Sequence, residues 1–383
     1  RSGFTFSTDI SDITEVAVSN ISVTKDDVVQ ELQPFQAYAA EPVLSIVPES
    51  LGFDRTVVND NVSYGSHTIN IVNPRLMQDT RGWLGDADKG LEKITATVFD
   101  NYTKPVDLLI YFPDSEAPTS AFGKFTSTKN DIQGIGLNLF DVNEFYGAPN
   151  QLNGVMVRRL STNGPTLHEV AHNWGAYLSS DLGFGQGIGF GHWGFIGIGK
   201  GQLGGFDPAT LVNNGDGSYR VDSFGFFANG GDVPLYSMLE LYTIGLAGPA
   251  EVPDILVPVN FANFSCDGNG CSFTADSINT VTIEDVIAAD GARVPASQDA
   301  QTSFTMGVVG VSEYPLNDTE LAFINDQAIL LSSETGRGNL KSFQEATRGR
   351  ATLDAAVDTN AMSAAETDVS IELSVLPAEV AVG

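Results

Sequence analysis

GPTLHEVAHNWGAYL, residues 164–178, carries the clearest pattern in the chain. Its second residue is a proline, which suits the first turn of a helix because the N–H groups there have no intrahelical partner. Apolar residues then recur at helical spacing as one stripe, formed by Leu167, Val170, Ala171, Trp174, Tyr177 and Leu178. The stripe predicts an amphipathic helix over the whole stretch, with Trp174 in the core. His168 and His172 lie four residues apart, off the stripe and on a common face.

Residues 168–172 of this predicted helix read HEVAH. Two imidazoles one helical turn apart can bind one Zn²⁺, and the carboxylate of Glu169 then stands beside the water that the metal acidifies. Glu169 is therefore the predicted general base, which takes a proton from water and passes it to the leaving amine. The alternative interpretation is a helix with two solvated histidines and an incidental glutamate. The predicted helical context favours the metal site.

A catalytic zinc site normally has three protein ligands, so a third must come from elsewhere in the chain. His192 is the first candidate, because the glycines on either side of it let a loop fold back over the helix. Glu240 is the second candidate, since it lies on a later predicted helix over residues 236–246 and carboxylates also bind zinc. His67 is expected to be a surface histidine.

Other polar residues near the predicted metal site are candidates for supporting roles. Tyr242, Tyr236 or Tyr177 can stabilise an oxyanion, although the sequence singles out none of them. Asn173 directly follows the second histidine and is a candidate to support the metal ligands from outside the coordination sphere.

HEVAHNWG, residues 168–175, resembles the start of the metzincin pattern HExxHxxGxxH. The third histidine of that pattern is replaced by Leu178, but the 19 residues between His172 and His192 are similar to the looser spacing of IgA-peptidase-like zinc peptidases. The resemblance covers roughly residues 86–246. It implies a secreted, bacterial-type protein with a zincin-like catalytic domain and a methionine turn, for which Met238 is a match. It also implies a peptide substrate bound as an added antiparallel strand, against residues 134–140 or 152–160.

The expected fold class is α+β: a zincin-like domain with a mixed sheet and the HExxH helix, plus β-rich N-terminal and C-terminal regions. We expect a β-rich N-terminal region over 1–80, separate or packed onto the next domain, and a zincin-like domain with a C-terminal extension over 81–383. Strands are predicted at 15–23, 43–47, 68–72, 106–112, 134–140, 152–160 and 368–376. Further helices are predicted at 86–102, 236–246, 318–331 and 342–347. Residues 252–312 are predicted to be β-rich, and the glycine-rich residues 183–205 to form a loop around the site.

The composition limits the classes of partner. The 383 residues include 48 acidic and 19 basic side chains, a formal net charge of −29. This balance argues against binding nucleic-acid phosphates or an anionic membrane surface. With 42% hydrophobic residues the chain is too apolar to be a disordered acidic segment, and no apolar run is long enough to span a membrane. The acidity is typical of a secreted or cell-surface protein, and the N-terminus at Arg1 indicates a processed or trimmed product.

Two local patterns add smaller predictions. Cys266 and Cys271 flank a turn-rich tetrapeptide, DGNG, and are predicted to form a small disulfide loop in an oxidising compartment. The alternative is a pair of free thiols. Residues 212–219 (VNNGDGSY) predict a hairpin turn that is also a weak candidate for Ca²⁺.

These observations together predict a secreted zinc metallopeptidase that hydrolyses peptide bonds in protein or peptide substrates. The first alternative is a non-catalytic adhesion or glycan-binding module of a larger multidomain extracellular protein, built on a zincin-like domain. The second is a zinc amidase or deacetylase that acts on a non-peptide amide through the same chemistry.

Overall fold

The computed structural model describes residues 22–25, 28–31, 53–73, 90–113, 123–158, 164–185 and 191–363. Contacts divide the chain into two units, Arg1–Ser45 and Ile46–Gly383. In the first unit, strands β1 (Ser22–Lys25) and β2 (Val28–Glu31) pair antiparallel. The predicted strands at 43–47 and 368–376 lie outside the described residues, as does most of the one at 15–23.

The second unit is a mixed α/β structure, rich in sheet and with few helices. Its strands are β3 (Thr56–Asn59), β4 (Val62–Tyr64), β5 (Ile69–Val72), β6 (Leu108–Pro113), β7 (Gly123–Ser127), β8 (Lys129–Asn130), β9 (Phe140–Asp141), β10 (Gly154–Arg158), β11 (Gly194–Gly197), β12 (Gly204–Phe206), β13 (Val212–Asn213), β14 (Ser218–Val221), β15 (Ile255–Val259), β16 (Ala262–Asp267), β17 (Gly270–Thr274), β18 (Ser277–Val281), β19 (Ser303–Ser312) and β20 (Thr352–Asp354). Its helices are α1 (Leu91–Asn101), α2 (Thr166–Ala171), α3 (Met238–Ile244), α4 (Ile283–Asp290), α5 (Asp318–Ser332) and α6 (Phe343–Ala346). None of the described helices is long and apolar enough to cross a membrane.

The main sheet has the strand order β3-β4-β5-β19-β6-β10-β7, and β20 also pairs with β19. Strands β5, β19, β6 and β10 run parallel to one another, whereas β3 to β5 are antiparallel neighbours. At the other edge, β7 runs antiparallel to β10. The sheet is therefore mixed, and the antiparallel β7 is one of its edge strands.

Both faces of this sheet are covered, because every residue of β6 is buried and successive side chains point to opposite faces. Leu108, Ile110 and Phe112 share a core with the apolar residues of α2. Leu109 and Tyr111 pack on the other face with the apolar residues of α1. The sheet thus separates α1 from α2, and α2 is fixed against one face of it.

The N-terminal strands take part in this sheet. The predicted strand at 68–72 is confirmed as β5, which pairs with β19 in the centre of the sheet. Strands β3 and β4 extend the same sheet from β5. Residues 56–72 therefore belong to the same sheet as β6, β10 and β19.

The helix predicted over 164–178 is shorter than its apolar stripe. It ends at Ala171, and the chain continues in turns through a left-handed Ala176, φ 62°. Asn173 and Gly175 favour this ending because both are poor helix formers. Beyond this end, Trp174 and Leu178 are nevertheless in the core, Trp174 as predicted, whereas Tyr177 is half-buried.

Of the two strands predicted beside the helix, the first is wrong, whereas the second is confirmed but does not lie at a sheet edge. In the segment 134–140 only Phe140 is in a strand, because Gly134 and Gly136 have φ values of 75° and 79° that strands do not allow. The segment 152–160 does contain β10, but this strand lies between β6 and β7 and offers no open edge. The edge strand β7 was not predicted.

The predicted helices at 86–102, 236–246, 318–331 and 342–347 are confirmed in their central parts as α1, α3, α5 and α6. The region 252–312 holds strands β15 to β19 as expected, but also α4, which the sequence reading missed. The glycine-rich segment 183–205 is not purely a loop, since it contains β11 and the start of β12.

A second layer of two four-stranded sheets carries its own aromatic core. The sheets have the orders β12-β11-β15-β18 and β13-β14-β17-β16. Their shared cluster consists of Phe195, Phe206, Tyr219, Val221, Cys271, Phe273 and Ala275. The predicted disulfide is confirmed: Cys266 and Cys271 face each other across the β16–β17 hairpin. The predicted hairpin at 212–219 is also confirmed, as β13 and β14.

Candidate metal centre

The N-terminus of α2 is held by charged groups from distant parts of the chain. The backbone N–H of Leu167 donates to Asp232 Oδ1 at 2.6 Å, so Asp232 caps the helix from another loop. Arg158, fully buried at the end of β10, donates to the carbonyl oxygen of Gly164 at 2.7 Å and to the hydroxyl of Thr166. These bonds fix the position of the short helix that carries His168 and is followed directly by His172.

Three imidazoles converge beside this helix. The Nε2 atoms of His168 and His172 are 3.2 Å apart, and those of His168 and His192 are 3.4 Å apart. Candidate ligand atoms of all three residues lie within 4.8 Å of one another. A tetrahedral zinc site with bonds of about 2.05 Å has ligand nitrogens about 3.3 Å apart. The three histidines could therefore hold a metal ion, and the two Nε2 distances are compatible with zinc.

The protonation of these rings also fits a metal site. The Nδ1–H of His168 donates to the carbonyl oxygen of Gln202 at 2.8 Å, which leaves the Nε2 lone pair directed at the cluster. Burial lowers the pKa of His168 and lowers that of His172 well below its usual value. Burial and the neighbouring His168 lower the pKa of His192 to about 4. Neutral imidazoles are the form that binds metal.

Glu169 lies in the same cleft and is only 4% exposed. Burial raises the pKa of its carboxyl to about 8, although the charge of Arg158 opposes this shift. A Cβ atom at Gly123 on β7 would come within 2.5 Å of Glu169 Oε1. The carboxylate therefore rests directly against the edge strand, in a space that only glycine leaves open.

Glu240, the alternative third ligand, lies elsewhere and has other partners. Its carboxylate accepts hydrogen bonds from the indole N–H of Trp193 and from the backbone N–H groups of Gln202, Leu203 and Ser237, at 2.7–3.2 Å. Trp193 adjoins His192 in sequence, and the carbonyl of Gln202 orients His168. Glu240 thus organises the loop around the cluster without belonging to it.

Replacing Glu240 with Gln should lower the free energy of unfolding by roughly 3 kcal/mol, because an amide N–H₂ would face backbone donors. Zinc stoichiometry should stay at one per chain at saturating zinc. Urea unfolding and elemental analysis measure the two quantities, and Glu334→Gln at an exposed position is the matched control. Unchanged stability together with lost zinc would instead make Glu240 a ligand.

The residues predicted to support the metal site do not all lie at the cleft. Tyr177 lines the cleft, and its hydroxyl donates to the carbonyl oxygen of His172. Tyr236 is buried and donates to the carbonyl oxygen of Leu167, 2.8 Å away. Tyr242 accepts from the N–H of Arg293, and Asn173 lines a separate cavity of about 410 Å³. Of these four residues, only Tyr177 is at the cleft. Met238 begins helix α3 and does not line the cleft.

The cleft itself has a volume of about 730 Å³. Besides the three histidines and Glu169, its lining comes from β7 and from four segments outside the strands: Gly123, Lys124, Phe125, Ser127, Pro165, Tyr177, Gly191, Phe227 and Ala228. Sequence reasoning missed Arg158, Asp232, Gly123 and Phe227. Arg158 could have been found, because it is a charged residue at the end of an apolar strand. The other three reach the site only through long-range packing, which leaves no local sequence pattern.

No protein-family model, no curated protein and no solved structure matches this chain.

Proposed function

We propose that the chain is a zinc-dependent metallopeptidase with a zincin-like fold. One observation carries the proposal: three imidazoles at zinc spacing and a buried glutamate line one cleft beside an antiparallel edge strand. His168, His172 and His192 would hold the metal. Three protein ligands leave the fourth position open for chemistry, which distinguishes catalytic from structural zinc sites.

A bound zinc ion supplies a Lewis acid that acidifies water and polarises the carbonyl group of a substrate. Glu169 takes up the proton of the attacking water on its carboxylate and delivers it to the nitrogen of the leaving amine. The positive charge of a zinc ion held by the neighbouring histidines would lower the pKa of this carboxyl from about 8 and favour the carboxylate form that a base requires. Its contact with Gly123 and its burial keep the carboxylate in one position for both transfers. Of the three candidate tyrosines only Tyr177 lines the same cleft, and its hydroxyl would have to leave the carbonyl oxygen of His172 to donate to an oxyanion.

Strand β7 provides a surface for the substrate backbone. Within the part of the chain that the structure describes, it pairs with β10 alone, so its other edge is available. A peptide added antiparallel to β7 would gain main-chain hydrogen bonds and pass along the cleft. This arrangement supports a peptide as the substrate, rather than a small amide without an extended backbone.

Two further features support a secreted or cell-surface location. A disulfide such as Cys266–Cys271 persists in oxidising compartments. The net charge of −29 keeps a protein soluble and gives no attraction for nucleic acid. We propose protein or peptide substrates outside the cell, and that the chain is part of a larger multidomain protein. A calcium ion at 212–219 stays a prediction.

A peptide digest tests the proposed function. The chain loaded with one equivalent of Zn²⁺ should cleave a proteome-derived peptide mixture, as mass spectrometry of new termini shows. A zinc chelator should reduce turnover roughly 100-fold or more, and added Zn²⁺ should restore it. Binding of peptides or glycans without any cleavage would overturn the proposal and favour the adhesion module.

A further inference from the structure

An exposed phenylalanine stands against one of the three histidines. Phe227 lies on the segment between β14 and α3, and 57% of its surface is exposed. Its ring centroid is 5.2 Å from that of His192, with the two rings nearly perpendicular. A single exposed phenylalanine needs no explanation on most surfaces. Here the ring lines the cleft that holds the histidine cluster, so it borders any substrate side chain that enters there.

A second phenylalanine ring lines the same cleft. Phe125 on β7 is two residues from Gly123 and therefore on the same face of the strand, which is the face turned to Glu169. A Cβ atom at Gly154 on the neighbouring strand would come within 2.2 Å of the Phe125 ring, so this glycine leaves room for it. Pro165 and Ala228 add apolar surface around the same space.

We propose that Phe125 and Phe227 form the walls of a subsite for the side chain of a residue flanking the scissile bond, and that this side chain is aromatic or branched aliphatic. The inference rests on the proposed function. Covering apolar surface on both rings is favourable, at about 25 cal/mol per Å². A charged side chain between the rings would lose hydration without a partner for its charge. A small side chain would leave the rings uncovered.

Binding of metal-directed probes tests this subsite without requiring turnover. The probes are N-acetyl-phenylalanine hydroxamate and N-acetyl-alanine hydroxamate, which share the zinc-binding group and differ in the side chain. On the zinc-loaded chain the phenylalanine probe should bind roughly 10- to 100-fold more tightly by calorimetry. Phe227→Ala should reduce this preference to a few-fold, whereas Phe227→Leu should retain most of it.

Phe145→Ala is the matched control, because Phe145 is 69% exposed and does not line the cleft. It should leave the preference unchanged, and zinc content should be one per chain in every variant. Equal binding of the two probes, failure of both to bind, or a preference that survives Phe227→Ala would overturn the inference. Probe preference without hydrolysis of any peptide would instead overturn the proposed function and leave the subsite supported.

Discussion

Replacing Glu169 with Gln should lower kcat roughly 1,000-fold while the chain still binds one Zn²⁺. The amide has nearly the same size as the carboxylate, so the histidine cluster and the contact with Gly123 should persist. It cannot accept a proton from water, however, and the proton relay to the leaving amine is lost. Peptide turnover and elemental analysis of the same preparation measure both parts of this result.

Glu334→Gln makes the same chemical change at an exposed position and should keep the activity of the wild-type chain. Thermal unfolding should show that both variants are folded. Turnover of the Glu169 variant within tenfold of wild type would show that Glu169 is not the base, and the proposed peptidase mechanism would fail.

Replacing His192 with Ala should weaken zinc binding strongly. Loss of a residue that only hydrogen-bonds to a zinc ligand costs roughly 10- to 100-fold in affinity, and loss of a ligand itself should cost more. Only His168 and His172 would then remain, and two protein ligands hold zinc poorly. Activity at limiting zinc should fall with occupancy. Competition with a chromophoric chelator measures the affinity, and zinc titration of the activity shows whether the two losses coincide.

His67→Ala is the control for this change, since His67 is outside the histidine cluster and its ring bonds to the hydroxyl of Ser66. It should leave zinc affinity unchanged. Wild-type affinity in the His192 variant would contradict the assignment of His192 as the third ligand, and would direct attention to a ligand outside the described residues.

The local part of the site was predictable from the sequence because it depends on one helical turn. His168 and His172 share a face whether the helix is six residues long or fifteen, so its early end at Ala171 did not affect their geometry. His192 was predictable for a different reason. The chain has only four histidines, and glycines beside this one permit a close approach of its loop.

The role of Glu240 was not predictable, because its partners come from separate segments. A glutamate on an amphipathic helix has the same sequence pattern whether it binds a metal or accepts backbone hydrogen bonds. Only the fold shows that the N–H groups of Gln202 and Leu203 point at its carboxylate. Strand β7 escaped prediction for a similar reason: GKFTS has little apolar alternation, and its place at the sheet edge depends on pairing with β10.

The lack of a side chain at Gly123, beside the carboxylate of Glu169, predicts how this position should vary in evolution. Any substitution there places a carbon against the carboxylate of Glu169, while the backbone itself does not require glycine at this position. On the proposed mechanism, selection should therefore keep glycine at position 123 while neighbouring positions on the strand vary. Glycine at this site combined with HEVAH gives genome surveys a two-part signature, and paralogues that keep the histidines but lose the glycine are expected to have abandoned catalysis.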